Sequence, residues 1–408
     1  MGKVNQYLKQ NIILIIALII IIQPIIDVVI GLSLRYETIM TIASLIRLVI
    51  LVFLFYWFYF FSNSSVREKG LIILSVIAVY FIFYLFSTQL SFNELRMALR
   101  TFYFPIIFIL LYSIKETKKE FINSKYLLIS LGIYASVIVF GFLTNTAFNS
   151  YMVSKVGTSG YFYAANDISN IIAILLPLVF MYVFDKININ KILYFILIVS
   201  SIFILGTKTP FVSLIICIIY FTIKVINKNN IIKVTFISLG GVLLLSLFIT
   251  FTPVYKNFVI HASFLKIDNV KQIITDPKTL DHFLLGSRLV LLEENTKWFL
   301  NSQPKNILYG GGYNDNQSKL VEMDYHDILY RHGFIGFVIY FGSFIYLFAD
   351  KKRKFNIEFT LPLILVTLIA FFVGHVMTQP AVSTFVACLL CLFIKEENNE
   401  SKRHRSGI

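Results

Sequence analysis

Apolar stretches of nearly uniform length alternate with short polar breaks along most of the chain. A helix rises about 1.5 Å per residue, so about 20 apolar residues cross a bilayer's hydrocarbon core. The pattern predicts about twelve transmembrane helices, near 11–30, 41–61, 70–87, 98–114, 126–144, 170–184, 192–206, 210–226, 232–252, 327–349, 358–375 and 380–394. The expected fold is an all-α polytopic membrane protein. Its organisation is a first block of helices in 1–252, one long loop at 253–326, a second block in 327–394 and a polar tail at 395–408. Only Gly206-Thr207-Lys208-Thr209-Pro210 separates 192–206 from 210–226, and Pro210 suits the first turn of the second of these helices.

Composition agrees. Of 408 residues, 57% are hydrophobic and 14% charged, with a mean hydropathy of +0.78, which excludes an ordinary soluble domain. The net charge of +14 raises nucleic acid as a partner. The lysines and arginines, however, crowd alternate short loops, as membrane topology requires, and this reading assigns no nucleic-acid role. Their bias sets both termini in the cytoplasm, which puts the 253–326 loop outside. Cys217, Cys388 and Cys391 all fall in apolar segments and read as small packing residues.

A few charges persist inside the apolar segments. Asp27, Arg47 and Arg100 all fall toward the outer ends of their helices, as do Lys208 at the outer turn and His375 at the end of 358–375. A charge in hydrocarbon costs at least about 2.5 kcal/mol, so such residues mark function or a structural pair. The outer loop adds more. Gly286-Ser287 precedes an amphipathic stretch from Arg288 in which Leu291 and Leu292 recur seven residues on as Trp298 and Phe299, with Ser287 as N-cap. Arg288 in a first helical turn opposes the helix dipole and so points to an anion. Gly310-Gly311-Gly312 reads either as a turn or as a nest of N–H groups for phosphate. Glu322, Asp324, His326 and Asp327 cluster where the loop enters an apolar segment; their spacing matches no metal motif. Cations (Arg47, Arg100, Lys208, Arg288) and carboxylates (Glu322, Asp324) on one face suit transfer from a lipid diphosphate. The cations stabilise the leaving group and a carboxylate takes a proton from the incoming hydroxyl.

Four segments resemble the O-antigen ligase and polysaccharide polymerase family of bacterial membrane proteins. They are Gly160 to Asn166, the corner Gly206-Thr207-Lys208, the run Gly286-Ser287-Arg288 with Trp298 and Pro304 to Gly312, and Glu322 to Asp324 with Gly333 and Gly336. Where many members carry a His-Asn pair ahead of the Gly-x-x-Gly turn, this chain has Glu322-Met323. The resemblance implies a GT-C-like fold and a metal-independent, inverting glycosyl transfer without a cofactor. Donor and acceptor are glycans linked to undecaprenyl diphosphate, in the plasma membrane of a bacterium, with a flippase and a chain-length regulator as possible partners. It gives Glu322 the base role, with Asp324 and His326 as runners-up. Lys208, Arg288, Arg100 and Arg47 take the diphosphate; Asn166, Tyr313, Tyr325 and Trp298 take sugar. A ligase moving the glycan to another acceptor and a lipid-linked oligosaccharide flippase are the alternatives.

Overall fold

The computed structural model describes residues 2–35, 41–88, 91–118, 121–151, 155–185, 187–226, 285, 288–313, 320–348 and 354–395. The expected span 232–252, the Gly286-Ser287 N-cap, the loop through 284 and the tail from 396 lie outside them. Every other predicted apolar segment coincides with a helix. In chain order these are α1 (Gly2–Arg35), α2 (Thr41–Phe61), α3 (Ser64–Thr88), α4 (Phe92–Thr101), α5 (Tyr103–Thr117), α6 (Ser124–Leu143), α7 (Ala165–Asp185), α8 (Ile189–Leu205) and α9 (Lys208–Ile226). Then follow α10 (Arg288–Leu300), α11 (Pro304–Tyr309), α12 (Asp324–Phe348), α13 (Thr360–Phe372) and α14 (Pro380–Phe393). A hairpin of β1 (Asn149–Tyr151) and β2 (Val156–Thr158) precedes α7. A two-residue ladder of β3 (Lys354–Phe355) and β4 (Ile394–Lys395) closes the other end.

By length and composition, five of these helices suffice to cross a membrane, and six if the bent pair α4–α5 is one crossing. The finding is therefore coarser than the expected twelve: a largely helical membrane protein with four further, shorter apolar helices among the described residues. The segment expected as one helix at 98–114 is two, bent by 47°. Pro105 explains the break. It lacks an N–H, and its ring excludes the carbonyl of the residue four before it, Thr101, where α4 ends.

Helix α7 is the axis of the molecule. Its membrane window is 78% buried, against 33–44% for the other candidate spans. α6, α8, α9, α13 and α14 pack around it. The outer surfaces of α2 and α3 stay apolar and exposed (Val52, Phe60, Ile82, Phe83), as a lipid-facing surface requires. At the end of α14, the buried Lys115 amine donates to the carbonyls of Cys391 and Ile394, which closes that helix with a cation at the negative end of its dipole.

Helix α12 is broken within its length. Gly333 has φ 65° and ψ −175°, which only glycine adopts readily. The break frees carbonyls at Tyr330 and Arg331. The N–H groups of Gly311 and Gly312 fill them at 3.0 and 3.2 Å, and the Arg331 guanidinium returns a 2.7 Å bond to the Gly312 carbonyl. No side chain fits between the two segments: a Cβ on Gly310 would lie 2.1 Å from the Arg331 carbonyl oxygen.

Candidate active site

The site forms where α10, the turn before α12, the α8–α9 corner and the start of α7 meet. Gly206 ends α8 with φ 73°, and Thr207 then donates to Ser169 of α7 at 3.0 Å. This corner sets Lys208 close enough to Arg288 for their like charges to act on each other. The apolar face expected on α10 packs inward, while Leu289 and Leu300 stay exposed. Phe299 is buried, and Leu291, Leu292 and Trp298 pack with it against Val321, Met323 and Tyr330. Arg288, at the first position of α10, donates to Glu322 at 2.5 Å and to the Leu285 carbonyl at 2.9 Å. Its Nε is buried without a hydrogen-bond partner among the described residues.

Glu322 is held in a left-handed conformation, φ 63°. Asp327 enforces this turn by accepting from the N–H groups of Val321 (2.9 Å) and Met323 (3.2 Å) on either side. The Glu322 side chain remains 47% exposed, whereas Arg288 is only 16% exposed. The pair is thus open on the carboxylate side.

Asp324 and His326, expected in the loop, form the first turn of α12. Asp324 is fully buried and saturated. It accepts from the N–H groups of Val376 and Met377 (both 2.7 Å), from the Thr378 hydroxyl (2.5 Å) and from His375 Nδ1 (3.2 Å). This carboxylate pins the 375–378 loop. Burial alone would lower the His375 pKa, but the hydrogen bond to Asp324 and the fields of Asp324, Asp327 and Asp167 outweigh it and hold the imidazole above its ordinary value. His326 instead packs on Phe371 at 5.4 Å, its Nδ1 buried without a partner among the described residues.

The remaining expected residues divide. Arg47 is held by Asp27 at 2.8 Å, and Asp27 also accepts from Tyr134 (2.5 Å) and Gln23 (3.2 Å), so this pair ties α1, α2 and α6 together. Arg100 donates to Gln379 and lies in the field of Asp167. Asn166 is exposed at the start of α7. Tyr325 stacks on Phe341 at 5.3 Å. Trp298 covers Gly311, where an added Cβ would fall 2.3 Å from its ring. Tyr313 is locked. Its N–H donates to both oxygens of the buried Glu94 (2.9 Å each), and its hydroxyl meets Thr101 (2.5 Å) and His332 (3.2 Å). The phosphate-nest reading of the three glycines is corrected here: their N–H groups serve Asn306, Tyr330 and Arg331.

Sequence reasoning missed Asp167, Glu94 and the anchoring role of Asp327. Asp167 follows Asn166 at the polar start of the most buried helix, a signal available in the chain. Glu94 stands three residues after the N-cap Ser91, whose hydroxyl accepts its N–H at 3.1 Å, so it reads as a capping residue. Only the fold shows that its carboxylate holds Tyr313. Among the described residues, no cluster of metal-ligating side chains occurs.

A search of the curated proteins and of the solved structures gave no match. A family model described as O-antigen ligase like membrane protein matches residues 9–279 and 266–400, nearly the whole chain. With helices throughout and its polar side chains drawn to the end of α7, the chain belongs to the O-antigen ligase-like family of membrane proteins, whose general chemistry is glycosyl transfer.

Proposed function

We propose that this protein is a polysaccharide polymerase. It transfers a glycan from undecaprenyl diphosphate to a hydroxyl of a second lipid-linked repeat unit, with inversion and without a metal, at the outer face of the bacterial plasma membrane. Both termini are then cytoplasmic, and a flippase delivers the substrate. The observation that carries the reading is Arg288. It is a cation at a helix N-terminus, against the dipole, pressed by the like charge of Lys208, with a buried Nε that nothing among the described residues satisfies. Such a group is stabilised by an anion with several acceptor oxygens, and a diphosphate is one.

In the resting protein Arg288 grips Glu322. An arriving diphosphate competes for the guanidinium and leaves Glu322 free beside the reacting sugar. The acceptor oxygen attacks the anomeric carbon from the face opposite the phosphate, and the bond from that carbon to the phosphate oxygen breaks. Undecaprenyl diphosphate departs with the bonding pair, held by Arg288 and Lys208, and the acceptor proton passes to Glu322.

The test uses the purified protein in detergent with lipid-diphosphate glycan extracted from its host. The expected result is lengthening of the glycan in the absence of any gradient. Arg288→Ala and Glu322→Gln each abolish it, by at least about 100-fold, while the variants still insert in the membrane. Normal chain length with both variants defeats the mechanism. Absence of transfer by the wild-type protein, with lipid-linked glycan crossing proteoliposomes instead, assigns the protein to transport.

A further inference from the structure

Helix geometry divides the neighbourhood of α7 into two sides. Successive residues turn by about 100°, so Asp167 and Ser169 point about 200° apart, while Asn170 returns to within about 60° of Asp167. Ser169 bonds the Thr207 corner that carries Lys208 toward Arg288. Asn170 bonds the His375 carbonyl at 3.3 Å, and Gly374 rests against its amide. The cation pair Lys208 and Arg288 therefore lies on one side of the α7 terminus, and Asp167 faces Arg100 and His375 on the other.

The Asp167 side has an unfilled requirement. Its carboxylate is half-buried and lies in the fields of Arg100, His375, Asp27 and Arg47. Yet among the described residues it accepts no side-chain hydrogen bond and joins no ion pair. Arg100 turns to Gln379, His375 turns Nδ1 to Asp324 and Thr378, and Arg47 turns to Asp27. Asn166 beside it is exposed and bonds to nothing in the described protein. Donors and acceptors thus lie near Asp167 without bonding to it. The loop bearing His375 and Gln379 is held in place by the four bonds to Asp324.

We propose that the group formed by Asp167, Asn166, Arg100, His375 and Gln379 is a saccharide subsite that receives the acceptor sugar through a pair of adjacent hydroxyls. A carboxylate accepts two hydroxyl protons at once, and the amide, guanidinium and imidazole groups donate to the hydroxyl oxygens, which matches a vicinal diol and leaves no charge unbalanced. The inference rests on the glycosyl-transfer reading and deepens it. An inverting displacement needs the incoming hydroxyl and the departing diphosphate on opposite faces of one carbon, and the two sides of the α7 terminus supply that separation. Asp324 is a positioning residue for this subsite, acting through His375.

The experiment uses the full-length protein in detergent, with two probes prepared from the host: the lipid-diphosphate glycan, and the same repeat-unit oligosaccharide freed from its lipid. Wild type, Asp167→Asn, Arg100→Gln and Arg288→Ala are compared, each accepted only if it melts within a few degrees of wild type. Saturation-transfer NMR reads binding of the free oligosaccharide, and a titration reads binding of the lipid-linked donor. The expected result is that Asp167→Asn and Arg100→Gln lose oligosaccharide binding by tenfold or more and raise the acceptor concentration for half-maximal transfer to match, while donor binding stays within about twofold. Arg288→Ala shows the reverse. Oligosaccharide binding retained in Asp167→Asn and Arg100→Gln means that this group of residues does not hold the sugar, and overturns the proposal. Equal loss of both probes in every variant overturns it too, because the two sides are then one site. A wild-type protein that binds neither probe and transfers nothing overturns the glycosyl-transfer reading and this inference with it.

Discussion

At the scale of single residues, Glu322 is the most telling. A left-handed backbone costs an L-residue about 1–2 kcal/mol, and glycine nothing. Its presence at φ 63° means that the site spends stability on a carboxylate at this point. Glu322→Gly removes that strain and one half-exposed ion pair. It should leave the melting free energy within about 1 kcal/mol of wild type while transfer disappears, and a thermal melt with a parallel transfer assay checks both. His375 gives a pH signature. Its folded-state pKa is raised above the unfolded value, so its contribution is complete below about pH 6.5 and is lost as pH rises through the folded value. The stability gap between wild type and His375→Gln should shrink as melts are run from about pH 6 to about pH 9. A gap independent of pH means that the imidazole is not charged by Asp324, Asp327 and Asp167. For Arg47, truncation to Ala strands Asp27 in a buried position at a cost of about 3–5 kcal/mol. Asp27→Leu with Arg47→Leu should recover most of that loss, as measured by melting in detergent.

At the scale of elements, the Gly310–Gly312 turn and the broken α12 form a single device. One supplies N–H groups and the other the carbonyls that a kink set free. The device also fixes where Trp298 and Tyr313 sit. Gly310→Ala and Gly333→Ala each add positive-φ strain to a clash of 2.1–2.4 Å with backbone. Both should destabilise by about 3 kcal/mol, read as a lower melting temperature and a lower yield of folded protein. An unchanged melt in either variant would mean that the two segments do not pack as they do here. The break at Pro105 and the αL cap at Gly206 follow the same logic: each is a local rule of the backbone that places a candidate site residue, Arg100 in one case and Lys208 in the other.

At the scale of the whole molecule, burial is graded from the lipid-facing α2 and α3 to the enclosed α7, and the polar clusters lie at one end of that central helix. Asp27 with Arg47, Asp324 with His375, and Glu94 with Tyr313 join segments distant in the chain. These contacts hold the bundle with Lys208 and Arg288 on one side of the α7 terminus and Asp167 on the other. Removing the Lys115 amine, which closes α14 far from that site, should lower stability by about 2 kcal/mol through two unsatisfied carbonyls and leave the acceptor dependence of transfer unchanged.

Periodicity and composition determined the helical membrane class, the place of nearly every described helix and the inward apolar face of α10, and they singled out Arg288 as a candidate. These follow from the cost of exposing backbone and charge to hydrocarbon, a cost paid residue by residue and therefore written in the linear order. The chain alone left Asp324 among the bases and Arg47 among the phosphate ligands, and it passed over Asp167, because a side chain's role depends on what stands opposite it. Asp324 is saturated by backbone N–H groups some 50 residues away, Arg47 is neutralised from α1, and Asp167 is left open between elements that only the folded bundle brings together.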